Sequence, residues 1–259
     1  PVETMARRCR NQFGGTMENV SVLRSWWQSL ESSASSIHMP ERLRVPHGGS
    51  PVSLRPMVSR DEAEWDAVRW ANREWLAPWE SGDPEHGPSM SFGRWIQCQR
   101  SSEREGTGAV FVIEYDSRLV GQISMGAISY GSMRTAVVGY WVDQRFAGRG
   151  IAPTAVALLA DWALNDARGP KLHRLEIAIL PENQRSLRVV EKLHAHHEGL
   201  RERYMFVHGR WRDHETFSML AEDAGDGFAA RLMRRHPRGQ RAQNAGASPL
   251  LLFSCIWNA

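Results

Sequence analysis

At 259 residues the chain can hold one large domain or two small ones, and its 42% hydrophobic content is ordinary for a globular protein with a buried core. No run approaches the roughly 20 apolar residues of a membrane helix, and even the most hydrophobic stretch, Pro249–Trp257, is too short. The net charge of +3 is unevenly placed: residues 1–50 carry six Arg against four Glu, residues 51–223 carry 21 basic against 24 acidic side chains, and residues 224–259 carry five Arg against one Asp.

Cys9, Cys98 and Cys255 are widely spaced, with no Cys-x-x-Cys or Cys/His cluster, so neither a disulfide framework nor a metal site is indicated, and a reducing cytoplasm is the natural setting. Arg7, Arg8 and Arg10 have no apolar stretch behind them and do not read as a secretory signal.

Residues 1–50 read as a partly disordered extension. Within it, Leu23, Trp26, Trp27 and Leu30 recur at helical spacing, which predicts a short amphipathic helix that packs on the core or mediates self-association. The folded domain begins with a strand at Val52–Pro56. Ser59 and Glu62 then have the spacing of a capping box, opening a helix through Trp65, Val68 and Trp70. Trp75, Leu76 and Trp79 follow, Pro78 ends regular structure, and Phe92, Trp95, Ile96 and Gln99 predict a further helix ending before Gly106.

From Ala109 the period changes to two. Strands are predicted at Ala109–Tyr115, Leu119–Ile128 and Met133–Val142. A glycine-containing loop leads into a helix over Pro153–Ala167, with Pro153 suited to the first position. A strand from Leu172, a helix from Gln184 and a hairpin of Glu198–Phe206 with His214–Leu220 complete the domain at about residue 223. This order implies an α/β (α+β) domain with a mixed sheet and helices on both faces. Residues 224–259 read as a basic, disordered or loosely helical tail, either a solvated extension or a contact to ribosomal RNA or another polyanion.

The loop Ala147-Gly148-Arg149-Gly150-Ile151-Ala152 joins an apolar strand directly to a helix. Its backbone N–H groups can turn inward while the helix dipole presents positive charge at the same point, a junction suited to phosphate, and Arg149 adds a full charge. Glycine there permits close approach and positive φ. The nucleotide-triphosphate loop needs Lys-Ser or Lys-Thr where Ile151-Ala152 stands, and the dinucleotide fingerprint needs a third glycine and a later acid; neither fits.

These residues resemble the acetyl-CoA pyrophosphate loop of the GCN5-related N-acetyltransferase (GNAT) superfamily, Gln/Arg-x-x-Gly-x-Gly/Ala, with Ala147 replacing the first residue. The resemblance continues through His173–Leu180, Pro181-Glu-Asn-Gln-Arg-Ser186, Val190-Glu-Lys-Leu193 and Gly209-Arg-Trp-Arg-Asp-His214, and is to the RimJ/RimL branch, which acetylates ribosomal-protein N-termini. It covers roughly residues 51–223 and implies the GNAT fold, a mostly antiparallel sheet of about six to seven strands.

The implied activity is direct transfer of acetyl from acetyl-CoA to a primary amine: a protein N-terminus, or alternatively a small amine such as a polyamine, an aminoglycoside or an aminoacyl compound. A degenerate acetyl-CoA-binding regulator is a further alternative, and the enzyme is a monomer or homodimer without a membrane partner.

By the same resemblance, Val142 and residues 147–152 hold the cofactor through their backbone. Asn183 contacts its pantetheine arm, and Ser186 hydrogen-bonds the leaving thiolate; Asn183 also suits a helix N-cap. Many relatives carry a Tyr general acid where Val190 stands, and Gly-Phe where His194-Ala195 stands. Glu176 is the candidate base, or else pairs with Arg174 or Arg203; Glu182 is a second candidate. Trp75 and Trp79 form the acceptor groove with Tyr140 beside it, and Asp213-His214 position a strand and contact the acceptor. His194, His196 and His197 read as surface residues, since neighbours in a strand point to opposite faces.

Overall fold

The computed structural model describes residues 36–46, 49–85 and 90–235. The helix expected within residues 18–31 and the tail beyond residue 235 lie outside them. One eight-stranded sheet organises the chain: β1 (Leu43–Arg44), β2 (Val52–Pro56), β3 (Ala109–Tyr115), β4 (Arg118–Ser129), β5 (Thr135–Val142), β6 (Arg174–Ile179), β7 (His196–Val207) and β8 (Arg210–Leu220). Their spatial order is β1-β2-β3-β4-β5-β6-β8-β7, and only β5 and β6 run parallel.

Period-two alternation in β3 builds a core on each face. Ala109, Phe111 and Ile113 enter the larger core, while Val110 and Val112 enter a smaller one. Helices α1 (Glu62–Ala71) and α3 (Phe92–Arg104) cover the smaller face, with the single turn α2 (Arg73–Leu76) between them. Helices α4 (Ile151–Ala160), α5 (Gln184–Leu193) and α6 (Phe228–Arg235) cover the larger, α4 lying innermost against β2, β5 and the other two helices.

Several boundaries differ from expectation for identifiable reasons. The box expected from Ser59 and Glu62 is not made: the Asp61 carboxylate accepts the Val58 N–H at 2.8 Å and is itself clamped by both terminal nitrogens of Arg55 at 2.7 and 2.9 Å. Pro153 stands at the third helical position, because Gly150 at φ 77° caps the helix and starts it at Ile151. After Ala160 the chain widens into one π turn, Asp161–Asn165, and does not continue as regular helix to Ala167. His194, which replaces the expected glycine, takes the left-handed cap itself at φ 55°.

Both flanks contribute more than expected. β1 and the buried Ile37 and Val45 belong to the larger core, so the domain extends before residue 51. Phe228, Ala229 and Leu232 bury α6 in the same core, so the chain is ordered past residue 224. The Asp161 carboxylate fixes the start of α6 by accepting the N–H groups of Phe228 and Ala229 at 2.6 and 3.0 Å. With β1 added, the sheet has eight strands where six to seven were expected.

The sheet also splits. β5 and β6 pair only at Thr135–Arg174, Ala136–Leu175 and Val137–Glu176. Beyond that point β5 stays with β4 as far as Val142 opposite Gly121, while β6 stays with β8 as far as Ile179 opposite Glu215. Gly121 permits the first of these: a Cβ there would lie 2.2 Å from the Trp141 carbonyl oxygen. Gly121→Ala is therefore expected to lower unfolding free energy by about 1–3 kcal/mol through overpacking, measured as a lower urea midpoint; an unchanged midpoint would contradict this account of the split.

Candidate active site

The split opens a cleft of about 1300 Å³. Its walls are the freed half of β5, the end of β6, the loop before α4, the first turns of α5, the α1–α2 region and one face of the hairpin. Beyond Val137, alternate backbone groups of β5 no longer meet β6, so the strand presents polar main chain to the cleft.

The loop is anchored at its base. The Asp143 N–H donates to the Val120 carbonyl at 2.7 Å, and the Gln144 N–H donates to the side-chain oxygen of Asn72 at 2.8 Å, tying the loop to β4 and to the end of α1. The buried Asp143 carboxylate accepts the Arg145 N–H and two guanidinium nitrogens. Burial alone would raise its pKa, but the Arg145 hydrogen bonds and the Asn72 contact outweigh it and hold the carboxyl below the usual range. Gly148 and Gly150 stand at φ 79° and 77°, and the N–H groups of Gly148, Arg149 and Gly150 donate to no acceptor among the described residues. Arg149 does not face the cleft: its guanidinium lies over Phe146 and Tyr115, at 5.1 and 6.0 Å from the ring centroids.

Across the cleft, Asn183 caps α5 by accepting the Ser186 N–H at 3.2 Å, and both residues line the cleft. Arg185, Arg188 and Lys192 line it too, a cationic face at helical spacing. The Tyr140 hydroxyl is fully enclosed and makes no hydrogen bond of acceptable geometry. Burial pushes its pKa up to about 12, against a smaller opposing effect of the neighbouring Ser186 hydroxyl. Val190, in the position of the absent Tyr, is fully buried in the larger core.

At the opposite end the cleft becomes aromatic and acidic. Trp65 stacks on Trp95 at 5.9 Å and meets Phe92 and Trp141 at 5.3 and 6.4 Å, while its Nε1 donates to Gln122 Oε1 at 2.9 Å. Arg69 lies over Trp65 and Trp141 and pairs with Glu80. Glu62 and Asp66 line the cleft as well, and Trp75, Leu76, Trp79, Met205, Val207 and His214 complete its walls together with Ser186.

Thus Val142, Ala147, Gly148, Gly150, Ile151, Ala152, Asn183, Ser186, Trp75, Trp79 and Tyr140 share one cleft, whereas Arg149 and Glu176 do not line it. Glu176 is engaged by Arg174 at 3.1 Å and Arg201 at 3.0 Å, the ion-pair role, with Arg201 in place of the expected Arg203. Glu182 pairs with Arg212. Sequence reasoning did not single out Trp65, Trp141, Trp95, Arg69, Arg185, Arg188 or Lys192 for the site; for the last three, the spacing along α5 was the available signal. Among the described residues no cluster of three or more His, Cys, Asp or Glu is placed to hold a metal; His196 and His197 each pair with a carboxylate, Asp223 and Glu215.

The acetyltransferase (GNAT) domain profile matches residues 52–196. The chain belongs to the GNAT family. It is 38% identical to a Bacillus subtilis protein named probable N-acetyltransferase YjcK over 68% of this chain and 97% of that one. It is 24% identical to the Escherichia coli ribosomal protein uS5 alanine N-acetyltransferase over 59% and 78%. Among solved structures, Mycobacterium smegmatis RimJ in complex with CoA-disulfide superposes with TM-score 0.65 at 33% identity, covering 78% of this chain and 95% of that chain.

This GNAT chain is an acetyl-CoA-dependent N-acetyltransferase, and its cleft suits that ligand. It has unpaired N–H groups at two left-handed glycines, a cationic helix face and an unpaired strand edge.

Two expectations follow. Gly150→Ala forces a side chain into left-handed backbone at a cost of about 1–2 kcal/mol, shifting the loop and raising the Kd for CoA about tenfold or more by titration calorimetry. Asp143→Asn is expected to cost about 1 kcal/mol at pH 7, a solvent-screened value because Arg145 is largely exposed. A depressed carboxyl contributes stability above its unfolded pKa of about 3.9. That contribution disappears as pH falls through the lower folded value, so the difference from wild type should narrow below about pH 4 in thermal melts.

Proposed function

We propose that the acceptor is the N-terminal α-amine of a protein, of the ribosomal class named for the uS5 alanine acetyltransferase relative. The observation that carries this reading is the continuous wall from the α1–α2 region to the hairpin. Trp75, Leu76 and Trp79 on one side and Met205, Val207 and His214 on the other line the same cleft as Glu62, Asp66 and Ser186. Indole and aliphatic walls hold an extended peptide end at small entropy cost, and Glu62 and Asp66 at the mouth favour an ammonium. A ribosomal substrate agrees with a cytoplasmic setting.

Acetyl-CoA supplies the thioester carbon that the amine attacks. The loop N–H groups of Gly148, Arg149 and Gly150 bind its pyrophosphate, Arg185, Arg188 and Lys192 add positive charge, and Asn183 holds the pantetheine arm. Unpaired backbone donors within Tyr140–Val142 stabilise the carbonyl oxygen as charge develops there. Ser186 donates its hydroxyl proton towards the departing sulfur, and Tyr140 shields and polarises that hydroxyl. Positioning supplies most of the remaining acceleration.

The test is thiol release from acetyl-CoA with short peptides beginning in Ala or Ser, beside polyamines and aminoglycosides. Peptide-dependent release is expected, with kcat about 10- to 100-fold lower in Ser186→Ala, of the order of one lost proton donor. Release with small amines alone would replace the peptide reading, and binding without release would indicate a regulator.

A further inference from the structure

Within the acetyltransferase reading, the group that takes the amine proton is open once Glu176 is held by Arg174 and Arg201. The side chains lining the cleft that can accept a proton near neutrality are few. Glu62, Asp66 and Glu80 are exposed at the aromatic mouth, and Glu80 is paired with Arg69. The remaining candidate is His214, 4% exposed overall and part of the cleft wall.

Its ring is oriented by the strand that carries it. Nδ1 lies 3.0 Å from the Arg212 carbonyl oxygen, which can only accept, so Nδ1 bears the hydrogen. The neutral ring therefore has its lone pair on Nε2, which is not among the enclosed, unpartnered side-chain atoms of the structure. His214 is part of the cleft wall, so this lone pair belongs to a cleft-lining ring. Tyr204 on β7 packs edge-on against the ring at 6.0 Å.

We propose that His214 Nε2 accepts the proton of the incoming ammonium and so generates the nucleophilic amine, a role that rests on the acetyl-transfer reading above. Of the two protons the ammonium loses, one passes to Nε2 and is released to water after turnover. The other ends on the CoA sulfur through the Ser186 hydroxyl. The C–N bond forms as the C–S bond breaks, and no further reactant is needed.

The charges around His214 agree with a ring that is neutral at pH 7. Burial lowers its pKa, and Arg212 on its own strand lowers it further by charge. The hydrogen bond to the Arg212 carbonyl, Glu182 before α5 and the adjacent Asp213 oppose this, and the net shift is downward. From β7, Arg201 stands opposite in register and is paired with Glu176.

The test is the pH dependence of kcat at saturating acetyl-CoA and acceptor for wild type and His214→Asn, whose amide can keep the donor to the Arg212 carbonyl. Wild type should show an acid limb below about pH 6.5 that stays in place when the acceptor is replaced by one of lower amine pKa. His214→Asn should lose at least about 100-fold in kcat and lose the limb, with KM for acetyl-CoA within about twofold. A variant that keeps both kcat and the limb overturns the assignment. If the variant does not fold, a wild-type limb that moves with the acceptor pKa overturns it, and a fixed limb matching one imidazole titration by NMR supports it. No amine-dependent thiol release in wild type would overturn the acetyl-transfer reading itself, and this role with it.

Discussion

The structure depends on a competition for backbone partners that β5 and β6 resolve by parting. Each strand has two neighbours, and each keeps its antiparallel one: β5 follows β4 to Val142, and β6 follows β8 to Ile179. Only three residue pairs of the parallel ladder survive. Parallel pairing is slightly less stable per residue, so it is the ladder that yields. Gly121 lets Trp141 approach β4 closely, and the Asp143 N–H bond to Val120 extends the hold past the end of β5. The cleft and the direction of the loop before α4 both follow.

A split sheet leaves polar groups unpaired, and stability has to come from elsewhere. The freed backbone of β5 beyond Val137 is the plainest case, since an unpaired main-chain group shut away from water costs about 1–3 kcal/mol. The opposite end of the sheet is correspondingly closed. Buried Glu114 accepts from Arg42, Arg55 and Ser53, and Arg55 also clamps Asp61, so β1, β2, β3 and the entry to α1 share one network. On the larger face, Asp161 locks α6 across α4. Polar groups are thus paired around β1, β2, β3 and α6, and left unpaired along the freed half of β5.

What was legible in the sequence was local. The two-residue period of β3, the glycines before α4 and the Asn183 cap of α5 are each set by neighbours a few residues away, and each appears where expected. What was not legible depends on residues far apart in the chain. β1 is two residues long and exists because β2 offers an edge; α6 is ordered because Asp161, 67 residues earlier, caps it. Glu176 has the alternation of a cleft residue, but Arg201 on β7 reaches it first. Arg149 has the charge for a phosphate, yet Phe146 and Tyr115 offer its guanidinium an aromatic surface instead. The aromatic wall gathers Trp65, Trp95 and Trp141 from three separate elements, a convergence no single window of sequence displays.

The distribution of charge along the cleft gives the proposed chemistry its direction. The cationic face of α5 favours the anionic substrate, and the carboxylates of Glu62 and Asp66 on α1 favour an ammonium, so the two reactants are drawn to different elements of the cleft wall. A carboxylate placed between them would hold the ammonium as an ion pair, stabilising the form that cannot attack. A neutral imidazole at that point stabilises it far less and can still accept its proton as the amine attacks. Burial of His214, which keeps the ring neutral, is thus the condition under which a base there is useful. The exposed carboxylates can then serve for attraction alone.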